Sequence, residues 1–409
     1  MKLESIISRI EDSRDDIVHD MVEMIRVPSI GPLNGGEGES RRADQIMKYL
    51  DGFDSVERVD VPDGDNPSIV RPNILAKKNG KGKGTVWIVA HMDTVPPGDL
   101  TKWDSPPFEP RVDGDRIYGL GTEDNGQSVI ASIYGAKFFG SEDLTGMSIG
   151  LCFVCDEETK SVYGIQYLIE HGYFSDDDFI LVPDWGVPNG SMMDVAEKQI
   201  LWFTVKVRGK QTHGSTPNKG INALRVSAQA LSELMFRLEV RYDAADPLFR
   251  PPYSTFEPTK TVSTVDSINI IPPYHEFSMD CRILPQYDPE EVLAFADHVL
   301  DEFRARTGAD IELVMEQMDR AGKPSSTDTP QFKAFKDSVE AVIGTDVSPT
   351  GVGGGTCANF FRLKGMNAYV WQTGEGTLHA PNEYALISNI MTDAKVYANL
   401  FSRLCCRDE

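Results

Sequence analysis

The sequence contains no run of about 18 apolar residues, so no helix able to cross a bilayer is expected. Its opening, MKLESIISRIEDSRDDIVHDMVEMI, spreads apolar residues among charges at helical spacing. It lacks the unbroken apolar segment of a signal peptide. Cysteine is scarce, six in 409 residues, which excludes a disulfide framework. Cys152 and Cys155 form a CxxC, but they lie in SIGLCFVC, an apolar run that reads as a buried strand. Redox and metal pairs of this type occupy turns or helix starts, so two core thiols are expected. Basic residues are also few: 40 Lys and Arg against 63 Asp and Glu, a net charge of −23. A chain this acidic repels phosphate backbones, which excludes nucleic acid as a partner. The excess reads as a solvated acidic surface. These absences together point to a cytoplasmic protein with neither membrane nor nucleic acid as partner.

What is present is enough for two domains. The length exceeds one ordinary compact domain, and 40% apolar with 9% aromatic residues allows a sizeable core. The first 55 or so residues read as two amphipathic helices, the second over about Arg41 to Phe53, separated by GPLNGGEGES. NILAKKNGKGKGTVWIVAHMDTVP reads as two strands joined by the GKGKG turn. NGQSVIASIYGAKFF and YGIQYLIEHG read as helices, SIGLCFVC and DFILVPD as strands. Apolar strands alternating with helices indicate an α/β layer with a mostly parallel sheet. From about Met193 the texture changes. QILWFTVKVRG, TVSTVDSINII, HEFSMDCRIL and ADIELVMEQ read as strands, NALRVSAQALSELMFRLEVRY and DPEEVLAFADHVLDEFRART as helices. Four strands with two helices fit an α+β sandwich inserted over residues 194–317. Residues 1–193 and 318–409 then form one discontinuous domain.

Metal-competent side chains collect at the predicted strand ends: His91 and Asp93, Asp124, Glu157 and Glu158, Asp184, and His379 near the C-terminus. Singly each is weak, since a lone histidine is more often a surface or satisfied core residue and an adjacent Glu pair is usually solvated charge. Together they supply nitrogen and oxygen donors suited to zinc, cobalt or manganese. Ligand sites of open α/β sheets lie at carboxyl ends of strands. Asp93, two residues beyond His91, falls on the same side of an extended strand and can orient the imidazole. Asp124 can bridge two ions. Glu157 and Glu158 point opposite ways on an extended backbone, which lets one be a ligand and the other a base.

These motifs resemble the zinc-dependent aminoacylase superfamily that includes carboxypeptidase G, succinyl-diaminopimelate desuccinylase and acetylornithine deacetylase. The resemblance rests on His91-Met92-Asp93-Thr94-Val95-Pro96, the run WDSPPFEPRVDGDRIYGLGTED into Asp124, Glu157-Glu158, Asp184, and His379-Ala380-Pro381-Asn382-Glu383. In the inserted segment it rests on His213 in GKQTHGSTPNKGINA, on Asn269 in SINIIP and on Arg282 in SMDCR. It implies two divalent ions, zinc first, with cobalt or manganese as alternatives. One ion would be held by His91, Asp124 and Asp184, the other by Asp124, Glu158 and His379. A hydroxide between them would attack, and Glu157 would act as general base. It further implies that His213 donates to the oxyanion from the partner subunit of a homodimer, which makes the inserted domain both lid and dimer contact. Asn269 and Arg282 would hold the substrate, although Asp280 offers Arg282 a simple ion pair. Gly354, Gly355 and Thr356 would line its pocket, there being no Walker lysine for phosphate.

The implied activity is hydrolysis of the amide bond in a small N-acylated amino acid. A carboxypeptidase or dipeptidase acting on a short peptide is the alternative. Two departures from the family pattern, Asn125-Gly126-Gln127 after Asp124 and Cys357 after Thr356, are expected to alter the pocket rim.

Overall fold

A computed structural model describes residues 2–406 of the chain. The chain divides into two compact units. The first takes the chain up to Val195, Pro324–Pro349, and the chain from Thr356 onward; the second takes Ala196–Lys323 and Thr350–Gly355.

The first unit is built on an eight-stranded sheet, in the order Ser55–Pro62, Val70–Lys78, Ser148–Val154, Thr85–His91, Phe179–Gly186, Ala368–Gln372, Met192–Glu197, Ser348–Val352. Its four central strands, Ser148–Val154 to Ala368–Gln372, run parallel, and antiparallel strands flank them. The α/β class read from the sequence is therefore observed. Every residue of Thr85–His91 and Ser148–Val154 is buried. Strands covered on both faces lose the alternation of a half-exposed strand and read as continuous apolar runs. Cys152 and Cys155 are buried, free thiols in this layer, as expected.

The two strands expected on either side of GKGKG are present, Val70–Lys78 and Thr85–His91, and Ser148–Val154 lies between them in the sheet. Two helical readings differ from the structure. The N-terminal amphipathic stretch is two helices, Leu3–Asp12 and Arg14–Ile25, broken at Ser13, whose hydroxyl donates back to the Arg9 carbonyl. The next helix, Ser40–Met47, is shorter than expected. Helix Gln127–Lys137 follows Asp124 directly and packs on the C-terminal helix Ile387–Cys405. Gly135 permits that approach, since a Cβ there would stand 3.0 Å from both the Ala394 carbonyl oxygen and the Tyr397 Cβ.

The second unit has an antiparallel sheet in the order Thr255–Ser263, Tyr274–Ile283, Gln199–Arg208, Asp310–Asp319. Helices Ala223–Arg241 and Pro289–Thr307 pack on it. Tyr274–Ile283 alternates buried and part-buried residues along its length, the pattern of a sheet with one face on a core. Asn222 caps the first of these helices by accepting from the Arg225 amide, and Asp288 caps the second from Glu290. Of the predicted strand TVSTVDSINII, only the ends are strand; Ile270–Ile271 pairs separately with Thr212–His213.

Candidate metal centre

The four parallel strands end together, and their carboxyl ends supply the site. His91 is the last residue of Thr85–His91, Asp156 to Glu158 follow Ser148–Val154, and Asp184 lies near the end of Phe179–Gly186. His379 stands in the segment after Ala368–Gln372, and Asp124 lies in the turn that opens helix Gln127–Lys137.

The His91 Nδ1–H donates to the backbone carbonyl of Asp93 at 3.0 Å. That fixes the tautomer and leaves the Nε2 lone pair facing Asp124 Oδ1 at 2.8 Å and Asp184 Oδ1 at 3.3 Å. The other oxygen of Asp124 is 3.0 Å from His379 Nε2, which is also 3.1 Å from Glu158. Donor atoms of His91, Asp124 and Glu158 lie within 4.8 Å of one another, as do those of His91, Glu157 and Asp184.

The Asp93 side chain does something the sequence did not indicate. Its carboxylate, 3.6 Å from His91 Nδ1, accepts the backbone N–H of Glu157 at 3.1 Å and of Glu158 at 3.0 Å. The imidazole is oriented by the Asp93 carbonyl, and the carboxylate holds the Glu pair.

The electrostatics are those of an acidic cluster short of positive charge. Burial and the Asp124 charge push Glu158 up to about 7, and burial with the Asp184 charge pushes Glu157 well above the usual carboxylate range. Hydrogen bonds to Asp124 and Glu158 raise His379 to about 11. Burial disfavours a charged His91, yet Asp184 and Asp124 outweigh it and hold its pKa well above the ordinary histidine value. The same two imidazoles hold Asp124 below its ordinary value against burial. An imidazole lone pair aimed at two carboxylate oxygens is repulsive unless a cation or proton lies between them. The mixed nitrogen and oxygen donors, with Asp124 turned to both histidines, fit two divalent ions.

Asn125 is buried, and its amide donates to Asp184 Oδ1 and to the Pro183 carbonyl, both at 2.8 Å. It is thus part of the support behind a candidate ligand, where the sequence suggested a pocket rim. Cys357 is also buried, with burial and the charges of Glu157 and Asp184 raising its thiol pKa well above the ordinary value. Glu123 and Glu383, to which the sequence assigned no role, are both buried. The only sequence signal for these residues was adjacency to Asp124 and membership in the His379 motif.

Thr356 caps the short helix Cys357–Leu363 by accepting from the Ala358 amide. In the second unit, exposed His213 pairs across strands with Ile270, and exposed Asn269 accepts from the Ser267 hydroxyl at 2.6 Å. The His213 ring Nδ1 is 2.7 Å from the Ser215 hydroxyl. Arg282 is bound by Asp280 through Nε at 2.7 Å and Nη2 at 3.0 Å, and its Nη1 donates to the Gly353 carbonyl at 2.9 Å. The Gly353 to Gly355 stretch, which includes Gly354, belongs to this second unit.

Residues 87–403 match the family described as Peptidase family M20/M25/M40. An uncharacterised metallohydrolase of Methanococcus maripaludis is 35% identical over 409 aligned residues, covering 94% of this chain and 98% of that protein. Succinyl-diaminopimelate desuccinylase of Xanthomonas oryzae is 24% identical over 332 residues, covering 80% of this chain and 85% of that enzyme. Among solved structures, a dipeptidase of Saccharomyces cerevisiae superposes with a TM-score of 0.74 at 19% identity, covering 98% of this chain and 99% of that one.

Proposed function

The chain belongs to peptidase family M20/M25/M40 and is a hydrolase of amide or peptide bonds; from that premise we propose that it deacylates a small N-acylated amino acid, using two divalent ions. The observation that carries the reading is the Asp124 carboxylate, with one oxygen against His91 and the other against His379. His91, Asp124 and Asp184 would hold one ion, and Asp124, Glu158 and His379 the other, with zinc the first choice and cobalt or manganese its alternatives. When bound, such a pair supplies Lewis acidity that lets water ionise near neutral pH and that offsets negative charge on the substrate oxygens.

The chain's own groups do the rest. Glu157 takes the proton from the attacking water and returns it to the departing amine nitrogen, so that the amine leaves neutral. Asp93 keeps Glu157 and Glu158 in place through their backbone N–H groups. His213 donates to the oxyanion of the tetrahedral intermediate, contributed by the partner subunit of a homodimer. Asn269 and Arg282 recognise the substrate's polar end, with Gly354, Gly355 and Thr356 beside it. The scarcity of cysteine, six in 409 residues, accords with a cytoplasmic setting.

Dipeptide cleavage would use the same proton transfers, and the substrate assay separates the two readings. Amine release is followed from N-succinyl amino acids, N-acetyl amino acids and dipeptides, after chelation and after zinc, cobalt or manganese is restored. Metal-dependent release from the N-acyl substrates and not from dipeptides is expected. Release from dipeptides alone would replace deacylation with peptidase activity. A protein that binds no metal would overturn the dinuclear reading.

A further inference from the structure

Two buried carboxylates tie the Asp124 turn to the His379 segment in both directions. Glu383, four residues beyond His379, accepts the backbone N–H of Glu123 at 2.8 Å and of Asp124 at 3.0 Å on one oxygen, and that of Gly121 at 2.9 Å on the other. Glu123, next to Asp124, accepts the N–H of Gly376 at 2.7 Å and of Thr377 at 2.6 Å, and the Thr377 hydroxyl as well. Each carboxylate thus receives three donors from the opposite segment. Both are 1% exposed.

A carboxyl group presents acceptor lone pairs on both oxygens to these three donors, whereas an amide would turn its NH₂ group against at least one N–H. The His379 segment needs such ties. Between Gln372 and Tyr384 it has neither helix nor strand, and His379 and Asn382 have φ of 57° and 64°, the left-handed region that costs non-glycine residues about 1–3 kcal/mol when imposed by their surroundings. A backbone bond from Gly119 N–H to the Glu383 carbonyl at 3.0 Å adds to the same join.

We infer that Glu123 and Glu383 form a reciprocal clasp that sets the spacing of Asp124 and His379, and so act as positioning residues for the ion those two ligands share with Glu158. The inference rests on the dinuclear reading above. The clasp does not bear on His91 or Asp184, which are placed by their own strands. Asp124 serves both ions, so loss of the clasp should weaken both, and the ion held with His379 and Glu158 far more than the ion held with His91 and Asp184.

The test uses the full-length zinc-loaded protein challenged with a chromogenic chelator, so that each released equivalent is read separately from activity. The wild type is expected to release two equivalents in two steps. Glu123→Gln and Glu383→Gln should each release one equivalent about 10- to 100-fold more readily, the range for outer-shell partners of metal ligands. The other equivalent should stay within about threefold. The double variant should lose no more than the larger single effect, because either break opens the same clasp. Thr377→Val, which removes one donor and leaves both carboxylates, should shift the same equivalent by a few fold and serves if the Glu variants do not fold. Two equivalents in the wild type with both unchanged in the variants, or both weakened alike, would overturn the clasp. A wild type that holds no zinc would overturn the clasp together with the dinuclear reading it rests on.

Discussion

The Asp93 carbonyl accepts the His91 Nδ1 proton at 3.0 Å, while the Asp93 carboxylate receives the N–H groups of Glu157 and Glu158. One residue therefore sets the tautomer of a candidate ligand with its backbone and the place of the candidate base with its side chain. Asp93→Ala keeps the carbonyl and leaves two part-buried N–H groups without their acceptor, at about 1 kcal/mol each. Zinc content should persist while kcat falls about 10- to 100-fold. Metal analysis beside steady-state kinetics checks both, and loss of metal in step with activity would show that the carboxylate, not the carbonyl, governs His91.

Glu157→Gln removes proton transfer with almost no change of shape. Turnover should drop about 10²- to 10⁴-fold, the range attributed to a positioned acid or base, with two metals per chain retained. Turnover within tenfold of the wild type would reassign the base.

Asn125 donates to Asp184 and to the Pro183 carbonyl from a buried position. Asn125→Ala should loosen zinc about tenfold, by freeing Asp184, and lower stability by about 1 kcal/mol, by removing one of the two donors to the Pro183 carbonyl, which keeps the Ser128 hydroxyl. Chelator competition and urea unfolding read the two effects. An unchanged zinc affinity would place Asn125 in the fold alone.

Arg71 is buried among three acids. It donates to both oxygens of Glu39 at 2.7 and 3.0 Å, to Asp63 at 3.1 Å and to Asp156 at 3.2 Å. Arg71→Met leaves those carboxylates without their cation and should cost about 3–5 kcal/mol, seen as a lowered urea midpoint at constant m.

Burial pushes Asp393 up from 3.8 to about 7. Between these values the folded chain keeps a proton that the unfolded chain has lost, so stability falls as pH rises. The contribution is full below about 3.8 and is lost as pH rises through 7. Asp393→Asn removes this dependence, so variant stability relative to wild type should climb from pH 4 to pH 8. Melting temperatures across that range test it, and parallel curves would refute it.

Much of the site was legible because its chemistry is local. His91, Asp156 to Glu158 and Asp184 sit at or just beyond the ends of apolar strands, and an apolar run that stops at acidic or imidazole side chains marks a strand end opening on a ligand. The two-helix, four-strand reading of the inserted segment came from alternation and helical spacing, which report one buried face. What the sequence left open was pairing. The GKGKG turn specifies a reversal between two strands locally, whereas Ser148–Val154 reaches its place between them from far along the chain.

The sequence alone determined which atoms can bind metal, which strands are buried and where the chain changes from one texture to the other, because each follows from residue type and short-range periodicity. Tertiary structure decided which oxygen meets which partner. Glu383 reaches Asp124 across 259 residues, Asn125 turns inward to Asp184 across 59, and the two faces of Asp93 divide their work. Such contacts depend on how separate loops converge at the end of a sheet, and no spacing within the chain encodes that distance.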